Sequence, residues 1–136
     1  MKFTMRIIVS LIGLLLSVSS MAQSYPNKPV RMIVPFATGG PTDAMARILA
    51  QKFTESMGQS FVVENRAGAG GTLGAAIAAK SPADGYTLLL IPGSVTVNAT
   101  FNKNLSFVFI RDIVPVAMLS SLPLVMVVNP SLPVRS

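Results

Sequence analysis

The 136 residues contain no histidine, no cysteine and only five carboxylates, which bounds the chemistry available to the chain. Without an imidazole or a thiolate there is no Ser-His-Asp or Cys-His nucleophile, and the usual zinc ligands are missing. Asp43, Glu55, Glu64, Asp84 and Asp112 lie too far apart in sequence to predict an acid/base dyad or a metal cluster. Gly93-Ser94 lacks the second glycine of a nucleophile elbow, so Ser94 reads as a hydroxyl donor to a ligand or as a plain loop residue. The expectation is a protein that is not an enzyme and holds no cofactor and no metal. What remains is the chemistry of bare backbone, and two glycine-rich stretches offer it.

The first is Phe36-Ala37-Thr38-Gly39-Gly40-Pro41-Thr42-Asp43. Gly39 and Gly40 allow a sharp turn and a close approach to the main chain, while Pro41 suits a first helical position, where its missing N–H costs nothing. A helix opening there presents unpaired N–H donors and the positive end of its dipole, which favour an anion by about 0.3–1 kcal/mol per exposed contact. Asp43 falls in the first turn. It can cap backbone, but its charge would repel an anion placed directly against it, so a contact through water, or with a ligand amine or hydroxyl, is expected. Taken alone, the same residues also read as a turn plus a cap.

The second stretch, Asn65-Arg66-Ala67-Gly68-Ala69-Gly70-Gly71, repeats the pattern ahead of a small-residue helix. Arg66 could pair with an anion, yet Glu64 precedes it by two residues on the same side of an extended segment and can hold it. Ligand contacts are therefore placed on the backbone of Gly68 to Gly71. Gly68 to Gly74 also looks like a dinucleotide fingerprint. That fingerprint expects an acidic residue about 20 positions further on to hold the ribose, and none lies between Asp84 and Asp112. An exported dinucleotide-binding enzyme fragment is kept as the alternative reading, and a non-functional truncated remnant as another.

The elements that would position these loops follow from apolar patterning. Val30 to Phe36 is a near-continuous apolar run, as expected of a strand buried on both faces of a parallel sheet. Thr42 to Met57 is predicted helical, with Met45, Ile48, Leu49, Phe53 and Met57 as its core stripe, Arg47, Gln51, Lys52 and Glu55 on the solvent side, and Gly58 as its stop. Phe61 to Glu64 reads as a second strand, Thr72 to Lys80 as a slim helix able to pack close to the sheet, and Tyr86 to Ile91 as a third buried strand ending at Pro92-Gly93-Ser94. Three strands ending in loops at one edge would line a ligand crevice, as in open parallel α/β sheets. Further on, Val95 to Phe101 reads as a short helix carrying Asn98, Asn102 to Ser106 as a loop, and Val114 to Leu119 and Leu124 to Asn129 as two more strands.

Composition supplies an address. The hydrophobic fraction is 51% and the mean hydropathy +0.60, part of it concentrated at the front. Lys2 and Arg6, an apolar core from Ile7 to Leu16 and the small-residue exit Ser20-Met21-Ala22 describe a secretory signal peptide over residues 1–22. That core, about ten residues, is too short to span a bilayer of about 30 Å. Lacking cysteine, the chain has no lipobox thiol and no disulfides, so a non-lipidated protein of the periplasm is expected. Setting Lys2 and Arg6 aside leaves +4 of the formal charge of +6, scattered without a run; aromatics are 7% and Trp is absent. Nucleic acid is thus not an expected partner, whereas a mild pull on small anions is.

Three motifs in order carry a resemblance. Tyr25-Pro26-Asn27-Lys28-Pro29-Val30 with Val34 to Asp43, then Val62-Val63-Glu64-Asn65-Arg66-Ala67-Gly68-Ala69-Gly70-Gly71, then Asp84-Gly85-Tyr86-Thr87-Leu88-Leu89, resemble the Bug family, the periplasmic receptors of tripartite tricarboxylate transporters. The resemblance covers essentially all of residues 23–136. It implies an α/β fold in which a periplasmic-binding-protein-like lobe, mostly parallel sheet with flanking helices, faces a second lobe. It further implies that this chain is the first lobe, ending near the crossover, with the second lobe and the first lobe's return strands missing. The implied ligand is a small carboxylate or related metabolite, and the implied partners are the membrane components of the transporter. Carried over by position, the ligand-binding residues are Phe36, Ala37, Gly39, Gly40, Thr42 and Asp43 in the first loop, Ala67, Gly68, Ala69, Gly70 and Gly71 in the second, and Ser94 and Asn98 after the third strand. The chain departs from the family pattern at Leu105 to Ile110, apolar here where relatives usually carry an acidic residue.

Overall fold

The computed structural model describes residues 25–102, 104–121, 123, 125, 127–129 and 131–132. The signal peptide expected over residues 1–22 and the chain end from residue 133 lie outside them. Chain order is β1 (Val30–Val34), α1 (Pro41–Met57), β2 (Phe61–Asn65), a 3-10 turn (Ala69–Gly71), α2 (Thr72–Ala79), β3 (Thr87–Leu89), α3 (Gly93–Phe101) and the single turn α4 (Phe109–Asp112). The fold class is α/β: a parallel sheet of order β2-β1-β3 with helices on both faces.

β1 is central because its sequence can be buried on either side. Val30, Met32 and Val34 point to one face and join Ala46, Ala50 and Phe61, with Leu49 and Phe53 packed alongside. Ile33, on the opposite face, is fully buried. Removing each such side chain from water is worth about 1.5–3 kcal/mol, so this strand anchors the domain. Ala75, Val95 and Phe107 form a second core patch, which Ala76, Leu89 and Leu105 extend. Phe107 thus pins the apolar Leu105–Ile110 segment to the body of the domain, while Val108 and Ile110 stay exposed.

The face α1 turns to the sheet differs from the expected stripe. Asp43, Ala46 and Ala50 are its buried residues, while Ile48 is 63% exposed and Met57 45% exposed. Small alanines let α1 lie close to β1 and β2, and only Leu49 and Phe53 of the apolar stripe reach the core. Met45 and Ile48 instead line an open apolar groove of about 460 Å³ with Pro41, Ala44, Leu49 and Leu119. β3 is shorter than expected and only half-buried, since it pairs through β1 alone.

Val114 to Leu119, expected as a strand, is not one. Val114, Val116 and Met118 are more than 80% exposed, and no strand among the described residues pairs with the segment. Unpaired N–H and C=O groups leave an apolar segment without a ladder, whatever its propensity. Of the expected strand Leu124 to Asn129, Leu124 and Met126 lie outside the described residues, and Val125, Val127, Val128 and Asn129 form no strand.

A clasp closes the amino end of the sheet. The Tyr25 hydroxyl donates to the Gly85 carbonyl at 2.7 Å, and the Tyr86 hydroxyl donates to Asn27 Oδ1 at 2.8 Å. The rings of Tyr25 and Tyr86 meet edge to face at 5.1 Å, and Lys28 Nζ sits 4.2 Å above Tyr86 while pairing with Asp84 at 3.2 Å. No helix among the described residues is long and apolar enough to cross a membrane.

Candidate functional site

Parallel pairing puts the loops after β1, β2 and β3 at one end of the sheet. The register Val34 to Asn65, with Ile33 opposite both Glu64 and Leu89, brings the three strand ends level, so the loops that leave them are neighbours.

The first loop, residues 36–40, turns at Gly39, whose φ of 88° suits glycine. Gly40 is the N-cap residue of α1 and makes no side-chain cap, so the helix start relies on Asp43 reaching back. Asp43 is 2% exposed. Its Oδ2 accepts the Gly39 N–H at 2.9 Å and Arg47 Nε at 3.0 Å, and its Oδ1 accepts Asn65 Nδ2 at 2.9 Å. The same Asn65 amide donates to the Phe36 carbonyl at 3.1 Å, and Asn65 Oδ1 accepts the Arg47 guanidinium at 3.3 Å. Arg47, then the Gly39 N–H, then Asn65 hold the Asp43 carboxyl down at about 2. The carboxylate is thus committed to protein partners, and it ties the end of β2 to the first loop. Thr42 N–H and Asp43 N–H belong to the first helical turn, where no helical carbonyl precedes them to accept.

The second loop, residues 66–71, is shaped by positive φ at Gly68, Gly70 and Gly71, and also by Ala69 at 47°, where a side chain is unfavourable. The space beside its glycines is occupied. A Cβ on Gly70 would lie 2.4 Å from Asn98 Nδ2, and one on Gly71 would lie 2.6 Å from Val95 Cγ2 and 3.4 Å from Phe36 Cζ. Asn98 Nδ2 makes long contacts of 3.4 and 3.5 Å to the carbonyls of Ala69 and Gly70. Phe36 from the first loop, Gly70 and Gly71 from the second, and Val95 and Asn98 from α3 therefore converge. Side chains fill the room that fingerprint glycines keep open for a pyrophosphate. Ala37 and Gly39 in the first loop, Ala67 to Gly70 in the second and Ser94 are exposed around this contact, and Thr42 and Gly40 are half-buried.

Arg66 is held as its spacing predicts. Its guanidinium binds Glu64 Oε1, at 2.7 Å through Nε, while Arg31 takes Glu64 Oε2 at 2.7 Å. Arg31 first and Arg66 second lower the Glu64 pKa. Among the described residues no group of acidic side chains is clustered as a metal site would require.

Two residues of this end carry roles that sequence reasoning misses. Asn65 gives no signal beyond its place at a strand end. Arg47 reads as a solvent-side residue, although its position four after Asp43 on a helix marks an ion pair.

A family model described as tripartite tricarboxylate transporter family receptor matches residues 45–136. Protein BugT of Bordetella pertussis is 49% identical over 117 residues, 85% of this chain and 36% of that protein. A protein from the tcbD-tcbE intergenic region of a Pseudomonas species is 43% identical over 105 residues, 77% of this chain and 31% of its own length. The chain thus spans about a third of the length of these relatives. Among solved structures, one described as a periplasmic transporter matches 61% of this chain and 28% of its own at 46% identity and a TM-score of 0.57. Another, of an R. palustris protein with adipate, matches 51% of this chain and 23% of its own at 47% identity and a TM-score of 0.50. With a family model over most of its length and relatives at such identity, the chain belongs to the receptor family of the tripartite tricarboxylate transporters.

Proposed function

We propose that this chain supplies the first-lobe half of a periplasmic receptor that captures a small carboxylate for a tripartite tricarboxylate transporter. The observation that carries the reading is the convergence of two backbone-rich loops and Asn98 at the carboxyl end of a parallel sheet, beside the start of α1. Such an end offers N–H donors and a positive dipole to an anion. Adipate bound to a structurally similar protein supports a dicarboxylate of this size as the first ligand to test. Residues 1–22 serve as the export signal in this reading, residues 23–136 as the lobe, and the transporter's membrane components receive the ligand. The contacting residues are the backbone of residues 36–42 and 67–70 with the side chains of Ser94 and Asn98; Gly71 is buried and donates its N–H to the Gly68 carbonyl at 2.9 Å, so it shapes the loop, and Asp43 holds the first loop from behind.

Calorimetry and thermal unfolding of residues 23–136 with adipate and a panel of dicarboxylates and tricarboxylates test this. A midpoint that rises with one acid supports the reading, because a ligand bound only to the native state must stabilise it. A cooperative transition that no acid moves refutes it for this chain, and the lack of any transition favours a remnant without function.

A further inference from the structure

The first loop poses an electrostatic conflict. A buried carboxylate, Asp43, lies in the first turn of α1 with the Gly39 N–H against it, at the end of the helix where an anionic ligand would be received. An uncompensated negative charge there would cancel what the helix terminus offers. Arg47 resolves it: the guanidinium one turn on lies 3.0 Å from Asp43 Oδ2 and 3.3 Å from Asn65 Oδ1, with its own side chain half-exposed. The other charges near this end are engaged elsewhere, since Glu64 is held between Arg31 and Arg66.

Resting on the receptor reading above, we propose that Arg47 is a charge-compensating positioning residue, which neutralises the buried Asp43 carboxylate and so makes the first loop acceptable to an anion. It touches no ligand. It acts through Asp43, whose two oxygens accept from Gly39 and Asn65, and Arg47 supplies the opposite charge at Oδ2, the oxygen that also takes the Gly39 N–H. Asparagine would serve Gly39 as an acceptor, but one amide oxygen cannot meet Gly39, Asn65 and Arg47 together. The pair thus holds two loops in register without presenting net charge to the ligand.

The test compares wild type, Arg47→Gln, Arg47→Lys, Asp43→Asn and the double variant Asp43→Asn/Arg47→Gln, using adipate and its neutral diamide as calorimetric probes. Arg47→Gln should weaken adipate binding about three- to thirty-fold, the range for one unit charge several ångströms away in a medium between water and protein interior. The loss should grow at low salt and be small for the diamide. Arg47→Lys should recover most of the affinity, and the double variant should bind adipate better than Arg47→Gln alone, because the offending charge is gone. A merely structural role predicts the reverse, with equal losses for both probes and a double variant no better than the worse single one. That result overturns the inference, as does wild-type affinity in Arg47→Gln, while leaving the receptor reading intact. Failure of wild type to bind any acid sinks the receptor reading instead, and carboxyl-carbon NMR of Asp43 then judges the pair without ligand. Its titration, at about 2 in the wild type, should move upward in Arg47→Gln, and an unmoved titration overturns the inference.

Discussion

Replacing Gly74 by alanine should destabilise the domain, although helix propensity alone argues the opposite. Gly74 lies inside α2, where alanine is favoured over glycine by about 1 kcal/mol. A Cβ at this position, however, would lie 2.7 Å from the Pro35 Cβ and 2.9 Å from both the Pro35 Cα and the Arg66 carbonyl oxygen. None of these atoms is the far end of a flexible side chain, so α2 must back away from the end of β1. Forcing a methyl into packed surroundings costs about 1–3 kcal/mol, and contact with backbone on two sides places this case in the upper half of the range. Setting the propensity gain against it leaves a net loss of about 1–2 kcal/mol. In a domain of this size each kcal/mol shifts the midpoint by about 4–8 °C, so a fall of roughly 4–16 °C is expected. Pro35 and Arg66 lead into the two candidate binding loops, so adipate affinity should fall with stability. Thermal and urea unfolding followed by circular dichroism would measure it. Gly93→Ala is the control, because a Cβ there meets nothing within 4 Å. A Gly74→Ala chain as stable as the wild type refutes the claim that glycine is required for close approach.

Three further outcomes are expected. Ala69→Gly relieves a left-handed conformation costing about 1–2 kcal/mol and adds unfolded-chain entropy of about 0.4–1 kcal/mol, so unfolding experiments should find it between unchanged and about 1.6 kcal/mol more stable, with weaker adipate binding from a looser loop. Glu64→Gln removes the shared partner of Arg31 and Arg66, both half-exposed, and should cost no more than about 1 kcal/mol, a difference that shrinks when unfolding is repeated in high salt. The folded Asp43 carboxyl sits at about 2, below its ordinary 3.8, so the stability it contributes is present above the ordinary value and is lost as pH falls through about 2. The stability difference between wild type and Asp43→Asn should therefore narrow from about pH 5 downward, and a pH-independent difference would contradict that linkage.

Legibility in the sequence tracks how local each determinant is. β1, α1, β2 and α2 can be read because apolar runs, Pro41, Gly58 and the Gly68–Gly71 stretch mark their boundaries within a few residues. The meeting of the loops is also readable, because parallel order alone brings strand ends together. Asn65 is not, since its role is defined by Phe36 and Asp43, 29 and 22 positions away. The core face of α1 differs from expectation because hydrophobicity points to Ile48 and Met57, whereas close packing against the sheet selects Ala46 and Ala50. Val114 to Leu119 fails as a strand for a related reason: β propensity states what a segment can do beside a partner, and the partner is not encoded in the segment.

The tyrosine clasp has a practical consequence for anyone who wishes to attach this protein to a surface. Tyr25, Asn27 and Lys28 are held against Gly85 and Tyr86 at the amino end of the sheet, the end opposite the converging loops. A linker joined just ahead of Tyr25 would leave the molecule from its underside. Immobilised through such a linker, for a sensor chip or a fluorescent fusion, each molecule would stand with its loop end toward the bulk solution. Orientation would then come from the fold itself, with no engineered attachment point near the mouth.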